Sequence, residues 1–168
     1  ASLLDLGCGT GRGGMTIAML AEMNVTFIDF AANALDPNIA MAVEHSDKLK
    51  FIQADLAKSI PETAPYGSCT DCMEHIPPAQ VDRVLDNILA SAQHVYFQIA
   101  TVEDHFGKLV GHPLHLCIHP YSWWLRKFND RQCVLHWSTD RGESCAFYVS
   151  AWATGNDVVD HGVGNTSD

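Results

Sequence analysis

Leu3-Leu4-Asp5-Leu6-Gly7-Cys8-Gly9-Thr10-Gly11 is the stretch that decides how this chain folds. Ser2 to Leu6 reads as a buried first strand, Gly7 to Gly14 as a glycine-rich turn, and Met15 to Met23 as the helix that follows. Glycine reaches positive φ at little steric cost and leaves room for a ligand where a Cβ would stand. The helix N-terminus behind such a turn offers unpaired N–H groups to a carboxylate or phosphate. Several nucleotide-type ligands suit that arrangement. Gly9, Gly11 and Gly14 also satisfy Gly-x-Gly-x-x-Gly, the pattern of dinucleotide-binding folds, but this match lies two residues too far from the strand.

Outward from the turn, short apolar runs alternate with amphipathic stretches, as in a parallel sheet with crossover helices. Val25 to Ile28 predicts a second strand, Phe51 to Gln53 a third, Gly67 to Thr70 a fourth and Val95 to Ile99 a fifth. Asp36 before Pro37 reads as an N-cap and first helical residue, opening a helix with Ile39, Ala42 and Val43 on one face that ends near His45. Ala57 to Pro65 reads as a loop or a short helix. Val81, Val84, Leu85, Ile88 and Leu89 follow helical spacing, and Tyr121 to Phe128 predicts a further helix. Cys133 to Trp137 and Ala146 to Trp152 predict two last strands, with Asp140, Arg141 and Gly142 forming a turn suited to an antiparallel hairpin. The fold class is α/β, in one domain over residues 1–153, with a flexible tail over 154–168 rich in Gly, Asn, Asp and Ser.

Three acids stand at successive strand ends. Asp5 lies inside the first strand just before the turn, where a carboxylate faces the positive end of a sulfonium cofactor and repels a pyrophosphate. Asp29 closes the second strand, placed to accept both ribose hydroxyl hydrogens, with Phe30 beside it to pack against adenine. Asp55 closes the third, where it can accept from the exocyclic adenine amine. Each alone is an ordinary aspartate after a strand. Together, on the side where open parallel sheets bind ligands, they point to a site.

In LLDLGCGTG at 3–11, TFID at 26–29, FIQADL at 51–56 and TDCMEHIPP at 70–78, the chain resembles the class I S-adenosylmethionine-dependent methyltransferases. The resemblance covers residues 3 to about 152. It implies a Rossmann-like three-layer sandwich with a seven-stranded, mostly parallel sheet in order 3-2-1-4-5-7-6, finishing in an antiparallel hairpin. The four segments would bind, in turn, the methionine portion, the ribose, the adenine and the space beside the transferable methyl group. That assigns Asp5, Gly7, Cys8, Gly9, Gly11, Asp29, Phe30, Asp55, Leu56 and Asp71 to S-adenosylmethionine. The family often covers its cofactor with N-terminal helices. Because the numbering opens at Ala1 on the first strand, such a lid is expected to be absent here.

Glu74 and His75 follow the fourth strand and are the candidate catalytic residues. Methyl transfer is an in-line displacement at an already activated sulfonium, so the enzyme aligns the reactants and removes a proton from the acceptor. An imidazole that titrates near neutrality suits that task. The alternative is that the pair only caps or braces the following helix. In the histidine-rich segment His112 to His119, an extended backbone puts His115, Cys117 and His119 on one face, as a zinc set, a pocket wall or ordinary packing. His112, His115, Tyr121 and Trp124 are taken as acceptor-binding, and no metal ligand is assigned. Of Trp123 and Trp124, one is expected to be buried and one not. Cys69 and Cys72 straddle a strand end rather than opening a helix, which argues against a redox centre.

Twenty acidic against ten basic side chains give a net charge of -10, and only Arg126, Lys127 and Arg131 form a loose basic group. No nucleic-acid partner is expected. The Asn-Pro-Pro-Tyr type motif of amino-group DNA methyltransferases is also missing. The expected partner is a small-molecule or glycan acceptor, methylated on oxygen rather than nitrogen. Six cysteines in apolar runs, with neither a signal peptide nor a stretch of spanning length, predict reduced thiols, no membrane and a cytoplasmic protein. Two rivals stand beside this reading: a cofactor-binding domain without methyl transfer (sensor, lyase-type enzyme or assembly component), and a nicotinamide-dependent oxidoreductase.

Overall fold

The computed structural model describes residues 1–151, so the expected tail lies outside the described residues. Strands β1 (Ser2–Leu6), β2 (Asn24–Asp29), β3 (Leu49–Gln53), β4 (Ala64–Thr70), β5 (Ala92–Ala100), β6 (Val134–Asp140) and β7 (Ser144–Ser150) form one sheet in the order β3-β2-β1-β4-β5-β7-β6. The five strands β1 to β5 pair in parallel, and β7 runs antiparallel to both β5 and β6. This is the sheet order that the family resemblance implied.

Helices α1 (Arg12–Ala21), α2 (Pro37–Glu44), α3 (Val81–Ser91), α4 (Gly107–Val110) and α5 (Tyr121–Asp130) lie between these strands. Side-chain alternation along the strands builds two cores. Leu3, Val25 and Phe27 pack with Ile39 of α2 and the half-buried Met15 and Ile17 of α1. Leu4, Leu6 and Ile28 point the other way, into a larger core with the α3 stripe and with Trp124 and Phe128 of α5. Val81, Val84, Leu85, Ile88 and Leu89 are all buried. At about 1.5–3 kcal/mol for each such side chain, that stripe anchors α3, which has no side-chain cap.

Local chemistry sets the element ends. Asp36 caps α2 as expected, its Oδ1 accepting from the Asn38 N–H at 2.9 Å. Helix α1 begins at Arg12 rather than Met15, because Asp5 Oδ2 accepts from the Gly14 N–H at 3.1 Å and so satisfies a donor of the first turn. A Cβ on Gly14 would lie 2.5 Å from Asp5 Oδ2 and 2.8 Å from Phe27, so glycine is what lets helix and strand approach this closely. Strand β4 starts at Ala64 instead of Gly67, and β6 runs on to Asp140 instead of Trp137. In both cases the neighbouring strand's ladder draws in residues that lack apolar alternation.

Candidate active site

The sheet order reverses between β1 and β4, and open α/β sheets bind ligands in the crevice at such a point. A cavity of about 680 Å³ lies there. Of the residues named from the sequence, Gly7, Gly9, Asp29, Phe30, Asp55, Leu56, Asp71 and His75 line it.

Asp29 is 8% exposed and ties the turn to the end of β2. Its Oδ2 accepts from the Gly9 N–H at 2.8 Å and its Oδ1 from the Ala31 N–H at 2.9 Å, which leaves lone pairs for a ligand. Phe30 holds an open ring at the rim, 75% exposed, while Gln53 Nε2 donates to its carbonyl at 2.8 Å. Asp55 Oδ1 accepts from the Ala57 N–H at 2.9 Å. Asn87 of α3 fixes the same segment, donating to the carbonyls of Leu56 (2.8 Å) and Lys58 (2.7 Å). The sequence reading missed Asn87, whose only signal is an amide on the polar flank of a strong apolar stripe. Asp71 adopts φ 51, a left-handed conformation that aspartate tolerates, and its N–H donates to the Gln98 carbonyl.

Asp5, Cys8 and Gly11 do not line the cavity and instead support it from within the fold. Asp5 is 4% exposed. Burial raises its carboxyl to a pKa of about 6, against the pull of the Gly14 N–H and with a push from Asp29. Cys8 packs against the smaller core, where burial and the charges of Asp5 and Asp29 drive its thiol up. Gly11 lets Leu35, Ile39 and Phe27 close over it. Gly7 has φ +74, and a Cβ there would collide with the Cys72 side chain. Gly7→Ala is therefore expected to lose about 1–2 kcal/mol from backbone strain alone. The Cys72 collision adds to that, and thermal unfolding measures the total. At Gly9, φ +50, nothing lies within 4 Å of the missing Cβ, so Gly9→Ala should lose less.

Glu74 and His75 sit together on a 3₁₀ turn (Met73–His75) but face different surroundings. Glu74 is 1% exposed and, unlike His75, does not line the cavity. Its Oε1 accepts from the Ala100 N–H at 3.2 Å, and its carbonyl accepts from the N–H groups of Leu116 (2.7 Å) and Cys117 (2.9 Å). It braces the end of β5 against the histidine-rich segment, rather than the helix that follows it. Burial pushes its carboxyl pKa up. His75 is exposed and lines the cavity, with Nδ1 3.0 Å from the Leu114 carbonyl. A carbonyl only accepts, so Nδ1 carries a proton, and in the neutral ring Nε2 keeps its lone pair.

His115 repeats that arrangement, with Nδ1 2.7 Å from the Val102 carbonyl and its ring edge-on to His75 at 4.9 Å. His112 and His115 line a second cavity of about 440 Å³. Asp104, which the sequence reading did not single out, closes the loop around it. Its carboxylate accepts from the N–H groups of Gly107, Leu114 (2.8 Å) and His115 (3.2 Å). Desolvation works against that carboxylate, yet the N–H donors hold its pKa at about 2.

Other expected contributors lie elsewhere. Tyr121 bonds Ser138 at 2.7 Å, stacks on Phe147 and lines a separate cavity of about 250 Å³. Trp124 is fully buried, so it is a core residue and not an acceptor wall; Trp123 is the half-buried partner. Cys117 is 1% exposed and His119 stacks on Trp123 at 3.9 Å, so His115, Cys117 and His119 do not converge. All six cysteines are free, and a hydrogen bond to Cys72 together with burial keeps the Cys69 thiol protonated. Lys127 and Arg131 are ion-paired with Asp82 and Asp86 of α3.

A model of the methyltransferase domain family matches residues 3–93, more than half of the chain. The chain belongs to this family. Its cofactor is S-adenosylmethionine. Among curated protein sequences none matches significantly. Solved structures with the same fold include an O-methyltransferase family protein from Burkholderia thailandensis, with 12% identity, TM-score 0.68 and 89% of this chain covered. The chain spans half of that protein's length. Magnesium protoporphyrin IX methyltransferase from Synechocystis, with S-adenosylhomocysteine bound, shows 17% identity, TM-score 0.69 and coverage of 88% and 72%. The N-methyltransferase NodS from Bradyrhizobium japonicum, also with S-adenosylhomocysteine, shows 12% identity, TM-score 0.66 and coverage of 89% and 77%.

The methyltransferase domain fits its cofactor on its own geometry. The cavity lies within the roughly 300–1,000 Å³ usual for small-molecule sites, and it combines a side-chain-free turn, an exposed ring and carboxylates at three strand ends. No helix among the described residues is long and apolar enough to cross a membrane.

Proposed function

We propose that this domain methylates an oxygen of a small-molecule or glycan acceptor, which sits beside the contact between His75 of one cavity and His115 of the other. The observation that carries the reading is His75: it lines the cofactor cavity, touches His115 of the second cavity, and keeps Nε2 free of any backbone partner. In this reading Asp29 takes the ribose hydroxyls, Phe30 and Leu56 flank the adenine, and Asp55 accepts from its amine. Gly7, Gly9 and Asp71 border the methionine portion. S-adenosylmethionine, when bound, supplies a methyl group already activated on a sulfonium. His75 receives or directs the acceptor's proton, a task that a hydroxyl requires more than an uncharged amine does. His112 and His115 offer polar contacts to the acceptor.

Thermal shift with S-adenosylmethionine, S-adenosylhomocysteine and NADH tests the cofactor assignment. The first two are expected to raise the melting temperature, by about 3 kcal/mol of linkage at a hundredfold excess over Kd. Stabilisation by NADH alone would overturn it. Incubation with labelled cofactor and candidate hydroxyl or amine acceptors then reads transfer and the acceptor atom.

A further inference from the structure

We infer that Glu74, His75 and His115 form a site for one divalent transition-metal cation, of the zinc or manganese kind, where a histidine of one cavity meets a histidine of the other. A carboxylate oxygen of Glu74 and one ring nitrogen of each histidine lie within 4.8 Å of one another. No other such triad of His, Cys, Asp or Glu forms among the described residues.

Two further observations point to a ligand. Glu74 Oε2 is buried without any hydrogen-bond partner in a residue that is 1% exposed. A desolvated acceptor left in that state is costly, and a cation is a partner that satisfies it. Each histidine donates Nδ1–H to a main-chain carbonyl, of Leu114 for His75 and of Val102 for His115. Carbonyl partners of this kind fix the tautomer and orient the ring of metal-bound histidines, leaving Nε2 to ligate.

The ligands also stand on segments already stitched together. Leu116 and Cys117 donate to the Glu74 carbonyl, and Asp104 accepts from the His115 N–H. Metal–ligand distances of about 2.0–2.2 Å put neighbouring donors roughly 3 Å apart, so side-chain rotations of about 1 Å draw the three in. Two imidazoles and a carboxylate suit zinc and the first-row divalent ions, whereas calcium and magnesium favour oxygen donors.

This inference rests on the proposed function and deepens it: the acceptor hydroxyl stays, and His75 acts on it as a ligand of the cation rather than by taking its proton. Three protein ligands leave a coordination position open, and the hydroxyl oxygen of an acceptor suits it. Bound there, the hydroxyl has its pKa lowered and gives its proton to solvent, since His75 Nε2 is then committed to the cation.

The test titrates chelator-stripped protein with Co²⁺, followed by its visible absorption, and with Zn²⁺ by calorimetry. One equivalent is expected to bind. His115→Ala and Glu74→Gln should each weaken binding by about 10²-fold or more, and His112→Ala should leave it unchanged. Because Glu74 is buried, the more accessible His115 carries the test if Glu74→Gln fails to fold. Thermal shift with S-adenosylhomocysteine on the same samples separates the two readings, since His115 does not line the cofactor cavity. Absence of saturable binding, or binding that survives His115→Ala, overturns the site while leaving the cofactor assignment standing.

Discussion

His75→Ala is expected to lower the methyl-transfer rate by about 10² or more while S-adenosylhomocysteine binds within a few-fold of the unaltered protein. Among the described residues His75 is the one imidazole on the wall of the cofactor cavity, and the Leu114 carbonyl aims it. Alanine removes the lone pair and the tautomer-fixing bond together, but it touches neither Asp29 nor the glycine turn that would hold the cofactor. The effect should therefore fall on kcat. Repeating the measurement with a chelator distinguishes how His75 acts. If His75 works through a cation shared with Glu74 and His115, chelation should add little to the His75→Ala defect, because the two losses remove one device. If it works as a free base, chelation should leave the unaltered enzyme's rate intact. An unchanged rate in His75→Ala would remove the residue from the reaction altogether.

What the sequence revealed and what it hid follow from how local each interaction is. The turn at 7–11 and the acids Asp29 and Asp55 were legible because strand, turn and acid are neighbours in the chain, and their positions at strand ends follow from topology. The orientation of Glu74 was not legible. It depends on Ala100 and on the Leu116–Cys117 backbone, which only the fold brings to it. The pairing of His75 with His115 is hidden for the same reason, since their ring contact spans forty positions of sequence. Trp124 carried a signal that the aromatic-wall reading overrode. With Tyr121 three residues before it and Phe128 four after, it lies on the apolar stripe of α5, and that stripe packs into the core. Asp5 was placed correctly in the chain, and the fold gives it a partner of its own that the sequence did not indicate. Its nearest donor is the Gly14 N–H, brought close by a glycine that the dinucleotide comparison had read as part of a different motif.

Asp5→Asn is expected to stabilise the ligand-free protein at neutral and higher pH and to weaken the cofactor. Burial lifts the Asp5 carboxyl from 3.8 to about 6, partly offset by the Gly14 N–H. A raised carboxyl pKa means that the folded state binds the proton more tightly than the unfolded chain. Its contribution is fully present below the unfolded value of 3.8 and is lost as pH rises through about 6. Two units at about 1.4 kcal/mol each give roughly 3 kcal/mol of stability lost across that window. Asparagine keeps an oxygen for the Gly14 N–H and has no charge to desolvate, but its buried amide needs an acceptor, which offsets about 1–2 kcal/mol. The variant should therefore gain about 1–2 kcal/mol over the unaltered protein at about pH 8, and lose that advantage at about pH 4. Urea unfolding at several pH values measures the crossing, and a difference that does not change with pH would sink the argument. Affinity should move in the opposite direction. The methionine portion of the cofactor carries an ammonium and a sulfonium, and one negative charge lost beneath the turn weakens their binding by about tenfold or more. Because that positive ligand also favours the ionised carboxylate, the unaltered protein should bind S-adenosylmethionine more tightly as pH rises through about 6, and Asp5→Asn should lose that rise. A residue that destabilises the empty fold and strengthens its ligand is what a buried functional carboxylate looks like, and these two measurements distinguish it from a helix cap.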